Sequence, residues 1–163
     1  MAIIATMKYA FLVLLLLFSG CATRSYDTHS SKLVTIKTAN FAYSDVGFVR
    51  SGKSGVELEI FSAGVSLDRI SINRLICTTK DGCMPKGVFN AKYLNGAYYD
   101  DLLSDLLLHK PIYGGANLIK NGAGFVQRIS DESVEIYYEV SSRSMSFRDP
   151  KNGIMIKIKD LDE

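Results

Sequence analysis

Strict alternation of apolar and polar residues, repeated in several separate runs, constrains this chain most. In Val56-Glu57-Leu58-Glu59-Ile60-Phe61, the apolar Val56, Leu58 and Ile60 fall on one side of an extended strand and the glutamates on the other. The same period of two sets Val134, Ile136, Tyr138 and Val140 against Ser133, Glu135, Tyr137 and Glu139. It also sets Ile154, Ile156 and Ile158 against Met155, Lys157 and Lys159. Further strands are predicted over 41–50, 65–76, 124–129 and 143–147. The runs are separated by Ser51-Gly52-Lys53-Ser54-Gly55, Ser130-Asp131-Glu132 and Asp149-Pro150-Lys151-Asn152-Gly153, all rich in turn residues. Connections this short make hairpins, so the sheet is expected to be largely antiparallel. Val65 and Leu67 have the opposite parity to Ile70 and Ile72, which predicts a bulge near Asp68-Arg69.

One segment breaks the rhythm. Within 98–111, Leu102, Leu103, Leu106 and Leu107 recur at helical spacing. Asp100 and Asp101 suit the positive end of a helix dipole, His109 and Lys110 the negative end, and Pro111 stops the helix. A shorter helix is expected over 89–94. The fold class is therefore α+β. Packed core alone explains a leucine stripe; a second reading makes these leucines the lining of an apolar cavity inside a strongly curved sheet.

Near the N-terminus, Lys8 precedes the apolar run from Tyr9 to Phe18 and the small residues Ser19-Gly20 before Cys21. A membrane-spanning helix needs about 20 apolar residues, so this run has the layout of a secretory signal instead. Phe18-Ser19-Gly20-Cys21 resembles the lipobox of bacterial lipoproteins, with Phe18 where Leu is usual. That resemblance implies cleavage before Cys21 and acylation of its sulfur and amine. Met7-Lys8 reads as the natural start. The expected organisation is a signal peptide over 1–20, a polar lipidated tether over 21–32, and one domain over 33–163. Ala22 rather than Asp after the cysteine favours the outer membrane over the inner one.

Export to an oxidising compartment favours a disulfide between Cys77 and Cys83, which flank the turn signal Asp81-Gly82. A metal at these two sulfurs would lack a third Cys or His nearby, which leaves a tetrahedral site half empty. A net charge of +2 implies neither nucleic-acid binding nor a strongly acidic partner. No nucleophile elbow, phosphate loop, dinucleotide fingerprint or zinc-protease helix fits the chain. His29 and His109 lie far apart, and His109 reads as a helix cap. Asp100, Asp101 and Asp105 fall opposite the leucine stripe, facing water. No catalytic residue, metal site or cofactor is assigned, and the chain is not expected to be an enzyme.

From the helix onward the chain resembles the LolB branch of the LolA/LolB lipoprotein carriers. The stretches that carry this are 99–111, Gly124-Phe125-Val126-Gln127-Arg128-Ile129, Val134-Glu135-Ile136-Tyr137-Tyr138, and 147–162 with its Gly turn and alternation of apolar residues and lysines. The resemblance implies an incomplete antiparallel barrel whose helices lie on its concave face and cover an apolar cavity for acyl chains. Leu58, Ile60, Leu102, Leu103, Leu106, Leu107, Phe125, Ile136 and Tyr138 are the expected lining. The loop Phe61-Ser62-Ala63-Gly64-Val65-Ser66-Leu67 would be the membrane-transfer hairpin, with Val65 in the place of an exposed leucine. Implied partners are the membrane, acylated lipoproteins and a LolA-like periplasmic carrier. The family's N-terminal helix has no counterpart in 32–40, and the Cys77 to Cys83 loop is not a family feature. A different class of function is open: an assembly lipoprotein that binds another envelope protein through a sheet edge and has no cavity.

Overall fold

The computed structural model describes residues 26, 28–39, 41–96 and 98–161; the expected signal peptide and Cys21 lie outside them. Its frame is one antiparallel sheet of eleven strands. The strands β1 (Thr28–Lys37), β2 (Ala42–Gly52), β3 (Gly55–Ser62), β4 (Val65–Ile72), β5 (Ile76–Thr78) and β6 (Gly82–Met84) form a meander. A second meander follows: β7 (Leu118–Asn121), β8 (Gly124–Ser130), β9 (Glu135–Val140), β10 (Ser144–Asp149) and β11 (Ile154–Asp160). Pairing of β1 with β11 joins the two, from Lys32 opposite Asp160 to Lys37 opposite Met155. The sheet order is β6-β5-β4-β3-β2-β1-β11-β10-β9-β8-β7, so β6 and β7 are its two edges and the sheet is open. Between them run helices α1 (Lys86–Tyr93) and α2 (Leu102–Leu107) and a single 3-10 turn at Tyr113–Gly115. The expected α+β class with a mostly antiparallel sheet holds.

The alternating runs form strands with the predicted faces. Val56, Leu58 and Ile60 are buried on the side shared with Val34, Ile36, Val49 and Ile72, and Ile136, Tyr138, Phe147, Ile156 and Ile158 continue it across the sheet. Phe89, Leu94, Leu102, Leu103, Leu106 and Leu107 from the helical segment join the same cluster. Leu102 and Leu106 are fully buried, and each such side chain stabilises the fold by about 1.5–3 kcal/mol. The bulge lies one residue before the predicted place: Ile60 faces Asp68 and Phe61 faces Ser66, which leaves Leu67 unpaired. Gly55 is required where it stands. Its φ of 114° is in glycine territory, and a Cβ there would lie 2.2 Å from the Ile72 carbonyl oxygen.

Four expectations are corrected. Residues 28–32, read as tether, are strand: β1 starts at Thr28 and lies mid-sheet, so its order comes from two flanking partners and not from its own polar sequence. The strand expected over 65–76 breaks at Asn73-Arg74-Leu75, where the Asn73 side chain accepts the Leu75 amide (3.1 Å) and turns the chain. The leucine helix is shorter than 98–110, because Tyr98 and Tyr99 precede it and use their hydroxyls on Asp149 (2.6 Å) and Asp105 (2.8 Å). It ends in a Schellman arrangement, with Lys110 N–H on the Asp105 carbonyl, His109 N–H on the Leu106 carbonyl, and His109 at φ 53° where glycine is usual. The shorter helix begins earlier than expected, at Lys86 rather than Phe89, just after Pro85.

Three buried polar contacts fix the helical crossover to the second meander. Gln127, 1% exposed, accepts the Ile112 amide (2.9 Å) and donates to the carbonyls of Ile112 (3.0 Å) and Ala116 (2.7 Å). Tyr138 donates to the Lys110 carbonyl (3.0 Å). Asp149, fully buried, accepts Tyr98 Oη, the Glu135 amide and both nitrogens of Asn152. Burial works against its ionisation, but these hydrogen bonds prevail and hold its carboxyl below the usual range. Replacing Gln127 by Leu keeps the bulk and strands three backbone groups. We expect a loss of about 2–4 kcal/mol in urea denaturation, with the far-UV spectrum unchanged.

Candidate functional site

An apolar cavity of about 120 Å³ lies between the first meander and the helices. Ile36, Leu58, Ile60 and Ile70 from β1, β3 and β4 make its wall, with Ile156 from β11. Phe89, Tyr93 and Leu94 of α1 and its C-terminal end, with Leu103 of α2, make the other side. The Phe89 and Tyr93 rings meet one turn apart, centroids 4.6 Å and planes tilted by 33°. The cavity opens at one end of the sheet. Thr38 and Phe41 of the β1–β2 connection, Asp68 beside the β3–β4 hairpin, and Thr78 and Lys80 at the β5–β6 turn all line it. In an antiparallel meander these three connections fall at the same end of their strands. Thr28, the first residue of β1, pairs with Ser51 at the opposite end.

Of the nine lining residues expected, Leu58, Ile60 and Leu103 reach this cavity. Leu102, Leu106, Leu107, Ile136 and Tyr138 are buried in the packed cluster, and Phe125 rests partly buried against it. The Phe125 ring meets the Tyr138 ring edge-on at 5.6 Å. The leucine stripe is thus core along most of its length. Sequence reasoning missed Ile36, Ile70, Phe89 and Leu94; only the i, i+4 spacing of Phe89 and Tyr93 pointed to an apolar face on α1.

The β3–β4 hairpin presents the apolar residues expected of an exposed loop. Ala63 (φ 49°) and Gly64 (φ 82°) form its two-residue turn, beyond which Val65 is 69% and the bulged Leu67 53% exposed. Phe41, also exposed, lies at the same end of the sheet. Cys77 and Cys83 face each other across β5 and β6 and form the expected disulfide. His109 sits at the helix C-terminus, half-buried. Burial lowers its pKa, Lys32 pushes the same way and Asp160 opposes them. Asp101 pairs with Lys86. Cys21, where lipidation is expected, and the His29 side chain lie outside the described residues.

The opposite face of β3 is also buried, by charge. Glu57 and Glu59 are each 5% exposed. Arg50 bridges both at 2.9 Å, Arg69 (2.8 Å) and Ser66 (3.0 Å) share the other oxygen of Glu59, and Ser71 and Tyr26 donate to the other oxygen of Glu57. Burial resists ionisation of Glu59, but the hydrogen bonds from Arg69, Arg50 and Ser66 outweigh it and bring its pKa to about 2. The cavity wall is thereby clamped from behind across β2, β3 and β4.

The chain matches no family model, no curated protein and no solved structure.

With a folded pKa of about 2 against an unfolded value near 4.5, Glu59 contributes stability that is present above pH ~4.5 and lost as pH falls towards 2. Urea titrations across that window are expected to show a steeper acid loss in the parent than in Glu59→Gln, and the variant is expected to be less stable at pH 7 by about 1–3 kcal/mol.

Proposed function

We propose that this chain is a lipid-anchored, periplasm-facing protein of the outer membrane that takes acyl chains into its apolar cavity during lipoprotein or lipid trafficking. The observation that carries the reading is the cavity itself, walled by aliphatic and aromatic side chains and open beside exposed apolar residues. Acyl chains gain about 0.8 kcal/mol for each CH2 removed from water, so an apolar cavity is the physical means of holding one in an aqueous compartment. On this reading the open sheet curves strongly into an incomplete barrel, with α1 and α2 on its concave face. An acylated Cys21 holds the protein to the bilayer, and the cavity mouth lies at the end of the sheet opposite Thr28. Acylated lipoproteins and a LolA-like carrier are the partners that the family resemblance implies, with Val65 and Leu67 the apolar tip that would meet a membrane.

The second reading, an assembly lipoprotein that pairs a partner strand with the sheet edge, draws on Ile119, which is 66% exposed on the edge strand β7. That strand has four residues and the other edge three, so either edge offers a partner few hydrogen bonds.

Cys21→Ala is expected to move the protein from the membrane to the soluble envelope fraction. In that soluble form, an apolar fluorescent acyl probe should bind and Ile70→Phe, which fills the cavity, should weaken it roughly tenfold, the effect of about 1.4 kcal/mol. Unchanged binding in Ile70→Phe would overturn the cavity reading. Ile119→Lys should leave probe binding intact.

A further inference from the structure

The cavity is small. An engineered apolar cavity of ~150 Å³ holds one benzene, so about 120 Å³ accepts the end of one acyl chain and not several side by side. Its apolar depth ends at a polar mouth, where Lys80 sits on the turn between β5 and β6. Lys80 has no ion-pair partner among the described residues, and Asp68 lines the same cavity. Asp81 is paired with Lys92 (3.1 Å), and one oxygen of Asp68 accepts the amides of Arg69 (2.7 Å) and Thr79 (2.8 Å). The turn that carries Lys80 belongs to a hairpin of two three-residue strands closed by the Cys77–Cys83 disulfide. Strands this short hold a hairpin poorly by themselves, so the disulfide adds to the Asp81–Lys92 pair and the Asp68–Thr79 hydrogen bond in holding the turn at the mouth.

Resting on the acyl-binding reading above, we infer that the site takes a single-chain amphiphile with an anionic head, tail inward and head at the Lys80 ammonium. The disulfide-closed hairpin serves as the headgroup arm. A free fatty acid and a lysophospholipid share this chemistry. A lipid with two or more chains, the acylated end of a lipoprotein included, has no room for all of them unless α1 moves away from the wall.

The experiment is calorimetric titration of the unlipidated Cys21→Ala protein with laurate, lysophosphatidylglycerol, neutral monolaurin and two-chain phosphatidylglycerol. We expect one site per protein, laurate or lysophosphatidylglycerol or both binding roughly tenfold more tightly than monolaurin, and no binding of the two-chain lipid. Which of the anionic ligands binds identifies the head as carboxylate or phosphate. Lys80→Gln should bring the anionic ligands within about twofold of monolaurin while monolaurin itself is unchanged. The Cys77→Ser/Cys83→Ser pair should do the same, with an unchanged far-UV spectrum as the check on folding. Equal affinity for monolaurin and laurate in the parent would refute the headgroup role and leave the acyl-binding reading standing. Preference for the two-chain lipid would refute the single-chain limit. Failure of every ligand to bind would overturn both.

Discussion

The ladder between β1 and β11 is the interaction on which the rest depends. It runs over six residue pairs and is all that makes one sheet of two meanders. Val34 and Ile36 on one strand and Ile156 and Ile158 on the other are buried side by side on the inner face, so the apolar cluster is continuous across the seam. Lys32 and Asp160 pair at one end of the ladder. Without it, each meander would expose one face of its core and an unpaired edge.

The helical crossover answers to the seam from the other side. Its backbone carries carbonyls and amides into the interior, where each needs a partner. Gln127 and Tyr138 supply partners from β8 and β9, and the buried Asp149 takes the Tyr98 hydroxyl from β10. Asn90, fully buried on α1, donates to the Tyr99 carbonyl (3.0 Å), which joins α1 to the approach to α2. The crossover is therefore held to the second meander by directional bonds. Against the first meander, where the cavity lies, it meets mostly apolar surface.

Residues with a strong period were readable from sequence: Val56 to Ile60, Ile136 to Val140 and Ile154 to Ile158 form strands with the expected faces. Turns with a definite chemistry were readable too, such as Lys53-Ser54 before Gly55 and Asp149 to Gly153. What escaped was order conferred by neighbours. Thr28 to Lys32 have no apolar alternation, and β5, β6 and β7 are three or four residues long, shorter than any periodicity can register. The stripe of leucines gave the buried face of α2, but spacing cannot tell a packed face from a cavity wall. That distinction rests on what stands opposite, and only Leu103 faces open space. Ile36 and Leu94 belong to the cavity through tertiary placement alone.

The two-sided burial of β3 bears on its register. Most strands in this sheet have one buried face, and a slip by one residue would be opposed only by exposure of that face. In β3 a slip would also carry Glu57 and Glu59 into the apolar cluster, away from Arg50 and Arg69, while setting Leu58 and Ile60 among those charges. An unpaired carboxylate in an apolar interior is among the costliest placements in a protein. The wrong alignment is thus excluded twice over, and the strand that forms the middle of the cavity wall has one phase available to it.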